Sequence, residues 1–378
     1  MAVRGWGGSV AIAIGVAAGA GAAQLGLGYG LGIIAWLPSA TGTSEASWVA
    51  SLAWAAWIAA TSTVAGAIAA QRIGAPESAR STATDIPGTS GRTLASGLWR
   101  VALALASAVG GLVTVALVAV PARAATRADS VSAQSIAAGY AVIGVMLGLL
   151  MAFWALSSPA VAHNVIATVG WLWLLAIVAV VDGVLSGRGL GTAQLGVWQI
   201  TSDSERFWFR DYFYWPGAAL SLGSALVIGA LAARSTAQLP ERRVGAVVSG
   251  VAGPLLVAAA YFLAAPRLVG IRAEQVSAHL AAPYAVIAGL TGSALVAAIA
   301  QRARVGVGGL QQADPPRDQP ATPVTAPLWP ADNAEQPVPQ RRDGQEDAAD
   351  PEQSANPEQS EDASKPKGKP ARLGRRAR

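Results

Sequence analysis

The chain contains no cysteine. Disulfides, thiolate metal sites and cysteine nucleophiles are excluded with it. Histidine is nearly missing too: His163 and His279 are the only two in 378 residues. A histidine-based metal centre would need several carboxylates beside them, and the apolar stretches supply almost none. Charge is equally scarce, with 13% of residues Asp, Glu, Lys or Arg, against about 25% in an ordinary soluble domain. No Walker loop, GxGxxG unit, HExxH pair or GxSxG elbow occurs. A matched acid, base and nucleophile are missing, so the chain reads as a non-enzyme with no cofactor and no metal.

Apolar residues make up 53% of the chain, and they fall in blocks of about twenty, the length that crosses a bilayer core of about 30 Å. The expected fold is therefore an all-α polytopic membrane protein. Eight spans are predicted, near 9–36, 47–70, 99–121, 137–157, 160–182, 216–233, 244–266 and 281–301. The first follows Arg4 like a leader peptide, but its apolar run is too long for a leader's hydrophobic region and reads as a retained helix. Arginine far outnumbers lysine and alanine and glycine dominate, a bias of high-GC bacterial genomes.

Arg72, Arg80 and Arg92 in one loop, Arg234, Arg242 and Arg243 in another, and Arg302 and Arg304 after the last span share one side of an eight-span chain. The excess of basic residues on cytoplasmic loops then places both termini in the cytoplasm of a bacterial plasma membrane. The net charge of +5 accordingly points to the lipid surface as partner, with no nucleic acid expected. From 306 to 378 the sequence is rich in Pro, Gln, Asp and Glu, which reads as a disordered cytoplasmic tail. Its basic end, Lys365 to Arg378, is suited to a cytoplasmic protein or anionic lipid.

One sentence of the sequence is written twice. "RADSVSAQSIAAGYAVI" begins at Arg127 and "RAEQVSAHLAAPYAVI" at Arg272, about 145 residues later. Pro121 and Arg123 upstream correspond to Pro266 and Arg267, and "VGGL" at 109–112 stands where "AGPL" stands at 252–255. A weaker echo pairs "SEASW" at 44–48 with "SERFW" at 204–208. The expected organisation is two parallel four-helix repeats, 1–157 and 158–305, followed by the tail. An even number of spans per repeat keeps both copies facing the same way, as in parallel-repeat transporters. "SSPA" at 157–160 is the tight joint between them.

Matched glycine or proline interruptions are the best sequence pointer to a transporter's binding site. Here they are Gly110 and Gly111 in one copy, Gly253 and Pro254 in the other. With Tyr140 and Tyr284 they form the candidate cavity, and small-residue packing or a static kink is the plainer reading. Both tyrosines also suit the membrane interface as anchors. Gly139 and Pro283, just before them, either start a span or break a longer helix. Arg127, Asp129, Arg272 and Glu274 form the candidate outer mouth, although an acid near a helix start is favoured in any case.

Gly15, Gly19, Gly26, Gly28, Gly30 and Gly32 read as helix-packing glycines. Trp36, Trp48, Trp54, Trp57, Trp99, Trp154, Trp171 and Trp173 read mostly as an aromatic belt. The segment 202–215 mixes acids, arginines and aromatics and reads as an amphipathic element on the outer leaflet. No strongly ionisable side chain is predicted at mid-membrane, which counts against ion-coupled pumping. Two readings of function follow. The first is a transport-like protein holding a small or amphipathic solute, or a lipid, between its repeats. The second is a non-transporting scaffold for envelope-related assembly that recruits partners through its tail.

Overall fold

The computed structural model describes residues 6–37, 42–74, 90–125, 132–187, 189–190, 193–196, 207–208, 212–264 and 273–312. The tail beyond 312 therefore lies outside the described residues, as do Arg127, Asp129 and Arg272.

Helix α1 spans Trp6–Gly30, α2 Gly42–Gly74, α3 Ser90–Ala122, α4 Ala133–Ser157 and α5 Pro159–Leu185. A two-stranded antiparallel ribbon follows, β1 Phe207–Trp208 and β2 Phe213–Tyr214, with Phe207 opposite Tyr214 and Trp208 opposite Phe213. Then come α6 Trp215–Ala233, a 3-10 turn at Pro240–Arg242, α7 Arg243–Ser249, α8 Ala252–Ala264 and α9 Ala273–Gln312. Among the described residues, eight helical segments are long and apolar enough to cross a membrane, with α7 and α8 together forming one of them, from Pro240 to Ala264. The protein is an all-α polytopic membrane protein.

Local chemistry sets the helix ends. Ser132 caps α4 by accepting the Ser135 N–H at 3.2 Å. Ser158 is the single extended residue between α4 and α5, and Pro159 then opens α5, where its missing N–H costs nothing. The joint at 157–160 is thus one residue long. Two expected starts move outward. The helix around Tyr284 begins at Ala273, so Pro283 sits inside α9, and Gly139 lies in the second turn of α4.

In the first half, α1 packs on α2 and α3, α2 and α3 pack on each other, and both pack on α4. In the second half α5 packs on α6 and on α7–α8, while α6 and α7–α8 both pack on α9. The first and last helices of each half are not major neighbours. Glycines seal corresponding contacts. A Cβ on Gly148 of α4 would strike the Ala60 carbonyl on α2, and one on Gly292 of α9 would strike the Leu226 carbonyl on α6. Bare Cα positions let backbones approach this closely.

Helix α2 is the centre of the molecule: 89% of its most apolar window is buried, against 22% for α1. Trp54 and Trp57 lie fully buried in its middle, and Trp173 of α5 packs on Trp54 with ring centroids 5.0 Å apart. The Trp54 indole donates to the Ala193 carbonyl at 2.9 Å, and Trp173 donates to Gln24 Oε1 of α1 at 2.9 Å. These tryptophans are core residues joining the halves, not members of an interfacial belt. In hydrocarbon each indole N–H needs a protein acceptor, and the Gln24 amide and an irregular loop carbonyl supply two.

On α1 the buried stripe is Ser9, Ala13, Ala17, Gly21, Leu25 and Gly28, spaced mostly by four. Gly15, Gly19, Gly26 and Gly30 face open space instead. The expected packing role holds for Gly28, against Ile34, but not for those four, while Gly21, which was not among the expected glycines, packs against Thr114.

Candidate functional site

Pro254 organises the local break that precedes α8. Proline has no N–H to give and crowds the preceding turn, and the helix is interrupted at Gly250 and Val251, between α7 and α8. The freed groups are met by neighbours. The Gly253 N–H donates to Asn164 Oδ1 of α5 at 2.7 Å, inside the protein. Gly250 and Gly289 of α9 approach so closely that a Cβ on either would strike the other's carbonyl oxygen. Ser293 of α9 donates to the Val247 carbonyl.

The matched place in the first half behaves differently. Helix α3 runs unbroken through Gly110 and Gly111, a correction to the expected interruption. Two glycines weaken a helix by about 1 kcal/mol each but keep their N–H groups, so the ladder survives. A Cβ on Gly110 would strike the Ile14 carbonyl of α1, and one on Gly111 the Thr63 hydroxyl of α2. Both are packing positions, and neither is among the residues that line the cleft described next.

A cleft formed by the described residues lies inside the second half, among α5, α6, α8 and α9, and is narrow, with a cavity of about 50 Å³. Pro254 and Tyr261 line it from α8, Thr168 and Trp171 from α5, Ser221 and Ser224 from α6, and Glu274 and Ser277 from α9. Alanine is the commonest residue of the remaining wall, with Ala278, Ala281, Ala282 and Ala285 on one face of α9. The ribbon covers one end: buried Tyr214 lines the cleft, and its N–H donates to Ser277 Oγ at 2.8 Å. The Tyr261 hydroxyl donates to the Leu195 carbonyl of the loop before the ribbon. His279, five residues after the cleft-lining Glu274, is buried against the Tyr261 ring, centroids 4.7 Å apart, with its Nε2 2.8 Å from the Tyr261 carbonyl and its Nδ1 3.0 Å from that of Gln275.

Of the residues expected at a cavity, Pro254 lines this cleft, Gly253 packs behind it on Asn164 and Thr168, and Tyr284 is 55% exposed on the lipid side of α9. Tyr140 packs partly buried against the first half's core. Of the expected outer mouth, Glu274 is described, and it lines the cleft. Sequence reasoning missed Asn164, Thr168, Trp171, Tyr261 and Ser277. The outer segment 202–215 does supply Tyr214, as part of a ribbon and not as an isolated surface element. No group of His, Asp and Glu able to hold a metal ion occurs among the described residues.

No family profile, no curated protein and no solved structure matches the chain.

Proposed function

We propose that this is a transport-like protein of a bacterial plasma membrane that binds a small amphipathic solute in the cleft of its second half. One observation carries the reading: a proline-interrupted span opens onto a mid-membrane cleft whose wall mixes hydroxyls, one carboxylate and a smooth alanine face. Interrupted helices beside a cavity are how membrane proteins bring polar groups to a solute. The protein is a duplication of two parallel four-helix units, with both termini cytoplasmic. The doubled motif, the shared order of helix neighbours, and the matched glycine pairs 110 with 253 and 148 with 292 support that history.

The native chain has no thiol, so a single introduced cysteine is a unique probe. Ser221→Cys, on the cleft wall, should react with a membrane-impermeant thiol reagent in sealed vesicles, at least tenfold faster than Leu174→Cys on the lipid face. Silence at Ser221→Cys from both sides of the membrane would remove the solute reading. The envelope scaffold would then stand as the alternative, and deleting residues 316–378 should abolish its capture of cytoplasmic partners. Arg127→Cys and Arg272→Cys, labelled in intact cells, test the parallel duplication. Both should react from outside, and reaction from opposite faces would refute it.

A further inference from the structure

The cleft has a neighbour. Between α5 and α6 runs an open groove of about 520 Å³, lined on α5 by Ala167, Gly170 and Leu174 and on α6 by Leu220, Gly223 and Val227. Its lining is almost wholly apolar. A Cβ added at Gly170 or Gly223 would meet nothing within 4 Å, so the space is real at both glycines. Leu174 and Val227 are each 51% exposed, which marks this side as the molecule's outer surface. The groove sits at the middle of two membrane-crossing helices. Its outer side therefore meets hydrocarbon and not water. On α6 it extends from Ala219 to Ile228, about 14 Å at 1.5 Å per residue, close to the roughly 15 Å of one leaflet's hydrocarbon.

Groove and cleft share a wall of three residues, Trp171, Ser224 and Ile228. The Trp171 indole N–H is buried without a hydrogen-bond partner. A donor left unpaired in hydrocarbon is costly, and this one stands at the threshold between an apolar channel and a partly polar cleft. The one carboxylate among the described residues of the cleft, Glu274, lies one turn from Ser277, at the end closed by Tyr214.

We infer that the cleft is loaded sideways from the bilayer, and that its occupant is a membrane lipid whose acyl chain lies in the α5–α6 groove while its polar part passes Trp171 into the cleft. This rests on the solute-binding reading and names the solute's class and its route. An apolar chain needs no hydrogen bonds from the groove, and the groove offers none. A polar part finds the Trp171 N–H, the Ser221 and Ser224 hydroxyls and, further in, Ser277.

The test uses the full chain in liposomes of phosphatidylethanolamine and phosphatidylglycerol containing a small fraction of phospholipid with a diazirine in the acyl chain next to the polar part, so that the probe enters the cleft with that part. Adducts are mapped residue by residue after photolysis. The expected pattern includes the cleft face of α9, at Ala278, Ala281, Ala282 and Ala285, besides its lipid-exposed face at Tyr284 and Ile287. Gly170→Leu with Gly223→Leu, which fills the groove, should cut the cleft-face adducts at least fivefold and leave those at Tyr284 and Ile287 unchanged. Trp171→Ala, which lowers the threshold, should raise them. Adducts confined to the exposed face, while Ser221→Cys still reacts with the water-soluble reagent, overturn lateral loading and leave the cleft standing. Cleft-face adducts indifferent to both variants overturn the route. Silence at Ser221→Cys defeats the solute-binding reading itself, and lateral loading falls with it. The unsubstituted chain gives the first of these results alone, so misfolding of a variant does not shelter the inference.

Discussion

The two halves pack their helices in one order of neighbours, yet the first helix is closed onto its neighbours in one half and stands open toward the next helix in the other. In the first half α1 is pressed onto α2 and α3 at Gly21, Gly66 and Gly110, where any Cβ would meet Thr114, Ala13 or Ile14. In the second half α5 and α6 face each other across Gly170 and Gly223, where a Cβ would meet nothing. Small residues in a membrane helix thus have two uses: they let backbones close on each other, or they leave room for something else. Composition does not separate the two, because both halves are rich in alanine and glycine. The proline does separate them. It interrupts the third span of the second half, whereas α3 of the first half is continuous, and α5 then serves as the cap of the broken helix through Asn164.

The sharpest way to break this comparison is to substitute the sealing glycines. Gly148→Leu and Gly292→Leu should each cost about 3 kcal/mol or more, the upper range for overpacking, because the obstruction is a backbone carbonyl that has no rotamer to change. The readout is recovery of monodisperse protein and its thermal midpoint, and the two variants should fail alike. By contrast Gly170→Leu and Gly223→Leu should change stability by no more than about 0.5 kcal/mol. Equal damage from both pairs would erase the distinction between glycines that close a helix contact and glycines that leave a groove.

Next in size, Asn164→Leu strands the Gly253 N–H in the interior and should cost about 1–3 kcal/mol, the usual penalty for an unpaired buried group. No such orphan exists at Gly110, because α3 keeps its ladder there. A neutral result by the same melting assay would mean that the break does not depend on α5. A smaller effect is expected of Gln24→Leu, which removes the acceptor of Trp173 and of the Thr61 hydroxyl where the halves meet. Buried polar contacts between membrane helices are worth about 0.6–2 kcal/mol. A loss well above that would make the junction, and not the packing within each half, the main source of stability. The smallest effect belongs to truncation after Pro315, which should leave the melting midpoint and the Ser221→Cys reaction rate unchanged. A lowered midpoint would show that the tail braces the membrane unit.

Much of the architecture was readable from residues alone. Span number and approximate position follow from apolar run length, a signal that hydrocarbon enforces strongly. The one-residue joint at Ser158 followed from "SSPA". Pro254 was legible as a break because the loss of an N–H is a local covalent fact. Helix starts were not. The polar residues before Ala281 form two further helical turns of α9, with Gln275, Ser277 and His279 facing inward, and hydropathy alone reads such turns as loop. Nor was the inward face of a tryptophan legible. Trp54 and Trp173 look like interface residues by type, and what makes them core is an acceptor across the molecule, Ala193 for one and Gln24 for the other. The cleft's position escaped for the same reason. It depends on how far α5 stands from α6, a distance that no single residue encodes.

One measurement bears most directly on the contrast between the halves. Ala137 and Ala281 occupy the same place in the doubled motif, "AAGYAVI" against "AAPYAVI". Ala137 is fully buried in the first half's core, and Ala281 lines the cleft. Each is replaced by cysteine in turn, and the reaction rate with a small water-soluble thiol reagent is measured in reconstituted vesicles. The expected result is reaction at Ala281→Cys at least tenfold faster than at Ala137→Cys. Equal rates, or silence at Ala281→Cys, would contradict the account.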